Sequence, residues 1–206
     1  MKENPWDTPW KVKNEIMRFL LVPFLKILFW MNGIKWASGW KLNGMPIIQR
    51  HRLSTISIGN RMNLRSSAQS NPLSPNHPVV LSTRRKGAQI QIGEDFAMTG
   101  GTICADIRIE IGNHVTVGAN SIIVDTDFHP ISLESRLIEP NTGESCSVII
   151  EDDVFIGANC TILKGVRLGK GCVIGAGSVV VQSIPCFTIA GGIPAKVIRG
   201  IDETKQ

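Results

Sequence analysis

A period of six residues runs through the C-terminal half of this 206-residue chain and constrains its fold more than any other feature. Between residues 148 and 180 an aliphatic side chain stands at every sixth position: Ile150, Ile156, Ile162, Leu168, Ile174 and Val180. Two positions earlier in each unit the residue is small or medium-sized: Val148, Val154, Cys160, Val166, Cys172 and Ser178. An α-helix does not repeat every six residues, and plain strand alternation does not need this spacing. The pattern therefore predicts six-residue units stacked into a parallel β-helix.

The period also predicts which side chains meet. Three units close one triangular coil of ~18 residues, so each aliphatic side chain should stack on its counterpart one coil away. The expected pairs are Ile150 with Leu168, Ile156 with Ile174, and Ile162 with Val180. Glycine, or an asparagine such as Asn113 and Asn159, is expected at corners where the backbone is left-handed.

The same spacing recurs less regularly upstream. The matching positions are Ile58 and Leu64, then Ile92, Met98 and Cys104, and, after a one-residue shift, Ile111, Val117 and Ile123. Two stretches leave the pattern as excursion loops, at about residues 70–88 and 124–147. We therefore expect an N-terminal helical extension over residues 1–45, a β-helix over 46–184, and a C-terminal cap and tail over 185–206.

The N-terminal extension is strongly apolar. The stretch 16-IMRFLLVPFLKILFWMNGI-34 is interrupted by Arg18, Pro23 and Lys26, and is too short and too charged for a transmembrane span. It predicts an amphipathic helix that contacts a membrane surface through residues 16–31. The five tryptophans are the expected interfacial anchors: Trp6, Trp10, Trp30, Trp36 and Trp40. The alternative is a helix packed on its own domain or on a neighbouring subunit.

The net charge and the cysteines limit the possible partners and the cellular compartment. A net charge of +5 suggests an acidic partner such as a polyphosphate cofactor, a nucleic acid or a membrane surface. Nothing in the chain has the pattern of a nucleic-acid-binding module, so we expect no nucleic acid partner. The five cysteines form no CxxC pair and indicate free thiols in a reducing compartment.

One segment breaks the repeat and contains a histidine. The stretch 124-VDTDFHPIS-132 lies in the second expected loop, and His129 stands there beside two aspartates and a proline. Loops on a rigid scaffold are where function concentrates. His129 is therefore the histidine that we expect to act chemically, whereas His51, His77 and His114 are expected to be structural or solvent-exposed.

With these features the sequence resembles the hexapeptide-repeat acyltransferases over about residues 55–201. The resemblance rests on the repeat, on the loop Asp125–Pro130 and on the stretch 191-GGIPAKVIRGI-201. It implies a left-handed β-helix, a hand that the repeat alone does not predict, because parallel crossovers are otherwise nearly always right-handed. The chain looks most like the sugar- and polysaccharide-modifying O-acetyltransferases. That implies a bacterial, cytoplasmic enzyme, on the inner face of the membrane if residues 16–31 bind it.

The resemblance implies a mechanism as well. His129 matches a general base that takes the proton of an acceptor hydroxyl in a direct transfer from acetyl-CoA, with no metal required. Asp127 and Asp125 are expected either to serve the imidazole or the acceptor, or to cap a turn. Some family members have an asparagine on the coil facing the histidine, where the count along this chain gives Met98. The family closes as homotrimers with the cleft between subunits, so we expect a homotrimer.

A second set of matches to the family implies which residues bind the cofactor. The N–H of Ala158 matches the donor to the developing oxyanion, and Ala176 matches a position where the pantetheine arm approaches the coil. Two basic residues near the C-terminus match those that meet the cofactor's phosphates. The expected cofactor-binding residues are Phe155, Gly157, Ala158, Ala176, Lys196 and Arg199.

Other functions remain open at this stage. The acceptor could be the amine of an amino sugar, an amino acid or a xenobiotic rather than a hydroxyl. A non-enzymatic β-helix scaffold would need neither the histidine loop nor the C-terminal motif. A zinc carbonic anhydrase of similar fold needs three converging histidines, whereas only His114 stands near His129 in the sequence.

Overall fold

The computed structural model describes residues 8–201, and Trp6, one of the predicted anchors, lies outside them. The chain forms the predicted left-handed parallel β-helix, preceded by one long helix. Three sheets, here named A, B and C, form the faces of a triangular prism, and consecutive strands of the coils enter them in turn.

Sheet A has eight strands: β1 (Lys41–Asn43), β4 (Asn63–Arg65), β7 (Ala97–Thr99), β10 (Thr116–Val117), β13 (Phe155–Ile156), β16 (Val173–Ile174), β18 (Thr188–Gly192) and β19 (Ala195–Gly200). Sheet B has six: β2 (Ile47–Arg50), β5 (Val80–Thr83), β8 (Thr102–Ala105), β11 (Ile122–Val124), β14 (Thr161–Ile162) and β17 (Val179–Val180). Sheet C has five: β3 (Thr55–Ile58), β6 (Gln89–Ile92), β9 (Arg108–Ile111), β12 (Val148–Ile150) and β15 (Arg167–Leu168). All neighbouring strands are parallel except β18 and β19, which form an antiparallel hairpin at the end of the prism.

The stacking predicted from the six-residue period is confirmed. Ile150 pairs with Leu168, Ile156 with Ile174, and Ile162 with Val180. All six side chains are at most 1% exposed and belong to one continuous core inside the prism. Each coil therefore buries its aliphatic residues against the next coil, which is how a repeat protein becomes stable.

The prediction is wrong at one inward position of the upstream repeat. Ile103, not Cys104, occupies the inward column of sheet B, where it pairs with Leu81 and Ile123. The corner before it contains Gly100 and Gly101, with φ of 56° and 86°. These two glycines turn the chain one residue early, so Ile103 follows Met98 by five residues, and the corner after β8 is longer, with eight residues from Ile103 to Ile111.

The corners also differ from expectation at one asparagine. Asn159 has the predicted left-handed backbone, with φ of 56°. At the earlier corner the left-handed residue is His114, also at 56°, and Asn113 instead accepts the N–H of Glu94 through Oδ1. Asparagine can support a corner in either way, through its backbone or through its side chain.

The boundaries differ somewhat from the predicted ones. The first strand begins at Lys41 rather than at residue 46. The first excursion covers residues 66–79 and includes a short 3-10 helix, Ala68–Ser70, because residues 80–83 belong to the wall as β5. The second excursion covers residues 125–147 and includes the helix α2 (Leu133–Ile138).

The N-terminal helix, α1, spans Pro9–Met31 and lies against the first coil. Leu25 and Phe29 on its inner side are fully buried, and the Phe29 ring contacts the rings of Trp36 and Trp40 at 5.8 and 5.0 Å between centroids. Within residues 8–201, no helix is long and apolar enough to cross a bilayer.

Candidate active site

Asp125 begins the second excursion and is completely buried. Its Oδ1 accepts the N–H of Asp106, and its Oδ2 accepts those of Ile107 and Arg108, each at 2.7 Å. These three N–H groups form the corner between β8 and β9, so the carboxylate ties the excursion to the preceding coil. Of the roles predicted for Asp125, this geometry matches turn capping and gives no contact with the imidazole.

The two ends of the excursion are held together by short antiparallel contacts. The N–H of Asp127 donates to the carbonyl of Glu144 at 2.9 Å, and the N–H of Cys146 donates to the carbonyl of Asp125 at 2.8 Å. Between them Thr126 and Ser145 form a β-bridge. The base of the excursion is therefore a clamped ribbon, and His129 stands just beyond the clamp.

His129 lies exposed on this ribbon, and its Nδ1 is hydrogen-bonded to the carbonyl oxygen of Pro140. Because a carbonyl can only accept, Nδ1 carries the proton of the neutral ring, and Nε2 is left as a bare acceptor. Phe128 before it has φ of 64°, and an added Cβ on Gly143 would lie 2.6 Å from the backbone N of His129. The excursion thus fixes both the backbone and the tautomer of the histidine.

Asp127 contacts a lysine that the sequence analysis missed. Its Oδ2 lies 2.9 Å from Nζ of Lys164, and in residues 8–201 its carboxylate makes no contact with the imidazole. Lys164 also pairs with Glu144, and these contacts, first Glu144 and then Asp127, raise the pKa of the lysine above its ordinary value. Lys164 stands between β14 and β15, one coil further on. Asp127 therefore anchors the ribbon to the coil. The carbonyl of Pro140 holds the imidazole in its tautomer, a role that was predicted for an aspartate.

Two adjacent arginines support the other side of the excursion. The guanidinium carbon of Arg84 lies 4.7 Å from the centre of the Phe128 ring. Arg85 pairs with the buried carboxylate of Asp106 at 2.8 Å and donates from Nη2 to the carbonyl of Asn141 at 2.9 Å. The doublet was visible in the sequence within the predicted loop 70–88, but only the fold brings it to the histidine ribbon.

Ala158 begins the turn between β13 and β14 and is half-buried. Its N–H donates to no other group within residues 8–201. An added Cβ on Gly118 would lie 2.4 Å from this nitrogen, and one on Gly157 would lie 2.5 Å from the nitrogen of Ala176. Glycine is required at both places because successive coils approach so closely. The corner therefore contains an unused donor in a narrow, partly shielded position.

The remaining residues of the predicted cofactor set lie on sheet A or at its edge with sheet B. Phe155 points outward from sheet A and is 47% exposed. Its register leads through Val173 and Ile189 to Arg199 on the final hairpin. Lys196 pairs with Gly191 on that hairpin, and both basic side chains are exposed. The structure thus brings together an apolar strip that ends in two cations.

The histidine and the cofactor set lie on different edges. Ala158 stands between β13 and β14, so it lies on the edge between sheets A and B. His129 belongs to the excursion between β11 and β12, which leaves the prism on the edge between sheets B and C. One chain therefore presents the imidazole and the unused N–H at two separate edges.

A groove of about 340 Å³ crosses sheet A beside the Ala158 corner. Met98 does not present its side chain there, because it is buried in the core in register with Val117. The next residue, Thr99, lies at the groove with Asn71 of the first excursion, and the Asn71 amide donates to the Thr99 hydroxyl at 3.3 Å. These two polar groups, missed in the sequence, stand where Met98 was counted.

His114 does not converge with His129. It lies between β9 and β10, on the edge between sheets C and A, with Nδ1 3.0 Å from Asp153 and Nε2 3.6 Å from Asp95. In the described part of the chain, no three His, Cys, Asp or Glu side chains are grouped to hold a metal ion.

Known families and solved structures resemble this chain in sequence and in fold. The family model for the hexapeptide repeat of succinyl-transferase matches residues 108–136 and 147–182. A hexapeptide-repeat-containing acetyltransferase from Vibrio cholerae has a similar structure, with a TM-score of 0.52 and 28% identity over 60% of this chain and 72% of the other. An N-acyltransferase from Bacillus cereus is similar in fold alone, with a TM-score of 0.55 and 19% identity over 83% of this chain and 84% of the other.

Two curated relatives match in sequence. The 2,3,4,5-tetrahydropyridine-2,6-dicarboxylate N-acetyltransferase of Clostridium perfringens is 52% identical over 67 residues, 32% of this chain and 28% of that protein. The galactoside O-acetyltransferase of Lactococcus lactis is 41% identical over 103 residues, 50% of this chain and 48% of that protein. The chain thus spans less than half the length of these relatives. The chain therefore carries the hexapeptide repeat and the coil that it builds, and it is similar in both to hexapeptide-repeat acyltransferases.

Proposed function

We propose that this protein transfers an acetyl group from acetyl-CoA to a hydroxyl of a sugar or polysaccharide precursor, with His129 as general base. The observation that carries the proposal is the imidazole itself. Pro140 holds Nδ1 as the protonated nitrogen, so Nε2 faces outward with a free lone pair. The O-acetyltransferase from Lactococcus lactis supports a hydroxyl acceptor.

The transfer needs one general base for the acceptor proton and one hydrogen-bond donor for the oxyanion. Nε2 of His129 takes the proton of the acceptor hydroxyl as its oxygen bonds to the thioester carbonyl carbon. The negative charge that develops on the carbonyl oxygen is stabilised by the N–H of Ala158. The carbon–sulfur bond then breaks, the ester is released, and the thiolate of CoA takes the proton back from the imidazolium. Neither a metal nor a covalent acyl-enzyme is needed.

Acetyl-CoA fits the edge that carries Ala158. The apolar strip of Phe155, with Ala158 and Ala176 beside it, suits the pantetheine arm, and Lys196 and Arg199 suit the phosphates at the far end. The close approach of coils at Gly157 leaves a smooth backbone wall with no side chain in the way.

We expect the double variant Lys196→Ala and Arg199→Ala to raise the KM for acetyl-CoA about tenfold and to leave kcat nearly unchanged. Both side chains are exposed and contact only the cofactor's phosphates in this scheme, which is uniform binding. Steady-state kinetics with an acyl donor lacking the 3′-phosphate should show a smaller difference between the two enzymes. Lys170→Ala, a basic side chain on the edge between sheets C and A, is the matched control. A collapse of kcat without a change in KM would contradict the assignment.

The separation of His129 and Ala158 on two edges favours a homotrimer with three sites between neighbouring prisms. In such a trimer the B–C edge of one subunit faces the A–B edge of the next. Each site then combines the imidazole of one chain with the N–H of another.

Mixed trimers test both the function and the assembly. His129→Ala chains retain the donor corner, and Ala158→Pro chains retain the imidazole, so each variant alone should be nearly inactive. Trimers formed by co-expressing the two should regain about a quarter of wild-type activity, because one interface in four then pairs an intact corner with an intact histidine. Acetyl transfer is followed by release of free CoA thiol with a screened saccharide acceptor. Failure to regain activity from two correctly assembled, individually inactive variants would exclude a shared site.

A second candidate is transfer to an amine. The relative from Clostridium perfringens is an N-acetyltransferase, and Nε2 of His129 could equally take a proton from an ammonium acceptor. The deciding measurement is an acceptor screen with paired sugars that differ only by a hydroxyl or an amino group at one carbon. Preference for the amino sugar would replace the first proposal.

We place the enzyme in the cytoplasm. All five cysteines are free thiols, and three of them are buried in or beside the core: Cys104, Cys160 and Cys172. Burial raises the pKa of the Cys172 thiol to about 12, so it behaves as an inert apolar group. Free thiols and the use of acetyl-CoA both suit a reducing compartment.

A further inference from the structure

The outer side of α1 is apolar although it faces away from the domain. Its inner side contacts the first coil through Leu25 and Phe29. At 100° per residue the opposite side collects large apolar residues, here called the outer face. These are Ile16 (56% exposed), Met17 (47%), Phe19 (79%), Leu20 (57%), Phe24 (63%), Ile27 (54%), Trp30 (77%) and Met31 (71%). The helix is therefore apolar on both sides, and only one side is covered.

Contacts at both ends of α1 fix its rotation about the helix axis, so the outer face stays exposed. Near its N-terminus Asn14 donates to the carbonyl of Gln69 at 2.9 Å, and Lys13 donates to the side chain of Gln69 at 3.3 Å. Near its C-terminus the Phe29 ring is locked against Trp36 and Trp40. Packing on its own domain, one of the alternatives for this segment, thus accounts for the inner side and leaves the outer face displayed.

The charges around the outer face are mostly positive. Lys11, Lys13 and Lys26 are exposed on the described helix. Its one acidic residue, Glu15, is paired with Arg18. An exposed apolar face on a helix of net positive charge, with tryptophan at positions 10 and 30, is the pattern of helices that lie in a bilayer interface. A purely acidic partner would not account for the contiguous exposed apolar residues, which mark an interaction site.

We propose that the outer face of α1 docks on a membrane surface containing anionic lipid, with Trp10 and Trp30 at the level of the headgroups. Docking buries the apolar side chains between acyl chains while the lysines meet lipid phosphates. A second copy of the chain is the less suitable occupant. Face-to-face packing of two such helices brings together two helices of net positive charge, and like charges at an interface oppose association.

The test is co-sedimentation of the full chain with vesicles of phosphatidylcholine alone or with about a third phosphatidylglycerol. The wild-type protein should bind the mixed vesicles and bind them more weakly at high salt, because headgroup attraction is screened. The double variant Phe24→Glu and Ile27→Glu should bind at least about tenfold more weakly, since it places charge in the acyl region. Both positions are exposed and glutamate is a good helix former, so the fold should persist.

The matched control is Leu137→Glu with Ile138→Glu, which adds the same charge at two exposed apolar positions of α2. It should bind vesicles like the wild type. Light scattering of every variant shows whether the outer face instead holds a second copy of the chain. A wild-type chain that ignores anionic vesicles, an outer-face variant that binds them undiminished, or an outer-face variant whose oligomer falls apart would each overturn the proposal. None of these measurements uses acetyl-CoA or an acceptor, so the result is independent of the enzymatic activity.

Discussion

Replacing His129 with alanine is expected to lower kcat by about 10²-fold or more while the affinity for acetyl-CoA hardly changes. The imidazole acts on the acceptor proton in the transition state. It lies on the edge between sheets B and C, whereas the cofactor set lies on the edge between sheets A and B. Steady-state kinetics give kcat, and equilibrium binding of radiolabelled acetyl-CoA gives the affinity. The rise of kcat/KM with pH that a general base produces should disappear in the variant.

The chain offers a close control for this experiment. His77 lies in the first excursion, and its Nδ1 also contacts a backbone carbonyl, that of Pro78, at 2.7 Å. His77→Ala removes the same side chain from a similar local setting and should keep full turnover. Wild-type turnover in His129→Ala would mean that the second excursion serves some other purpose.

Replacing Ala158 with proline is expected to lower kcat by roughly 10²- to 10³-fold, because it removes the N–H that would stabilise the oxyanion. The following residue, Asn159, has φ of 56°, and proline is favoured just before such a residue in a tight turn. The N–H that is lost makes no hydrogen bond within residues 8–201, so the substitution breaks no hydrogen bond of the coil, although the ring must be accommodated where Gly118 approaches closely.

Ala158→Ser keeps the N–H and is the matched control, with near wild-type kcat expected. Thermal unfolding and the oligomer mass should be similar for both variants. If the proline variant turns over normally with an intact fold, the oxyanion donor lies elsewhere.

The coils were predictable because one short rule determines them. Each inward position of residues 148–180 has the same environment as its neighbours, so periodicity alone identified Ile150 and Leu168 as partners. The rule failed at Cys104, where Gly100 and Gly101 shorten a corner, and glycine spacing does not say on which side of a strand a residue is gained or lost. It failed at Asn113 because the left-handed residue stands three positions after the inward aliphatic residue, as His114 does after Ile111, and Asn113 stands only two after it.

The candidate site was predictable only where a motif marks it. His129 stood out because it interrupts a regular repeat. Its support did not, because Pro140 acts through a backbone carbonyl, and every residue has one. Lys164 reaches Asp127 from a different coil, a contact that depends on the third dimension alone. Asp125 was ambiguous since capping and orienting aspartates look alike in sequence, and only burial with three backbone donors distinguishes them.

The final hairpin has a consequence for solubility. A parallel β-helix is a stack that could grow without limit, since its last coil offers a row of free backbone groups to any passing strand. Here β19 continues sheet A beyond β18 and is the outermost strand of that sheet. Pro194 precedes it and Lys196 and Arg199 project from it, and proline and positive charge are what keep exposed strands from joining end to end. The same two cations would then guard against polymerisation as well as meet phosphates. Neutralising them should make the protein more prone to form fibres, and cofactor affinity in such variants is best measured on freshly purified protein.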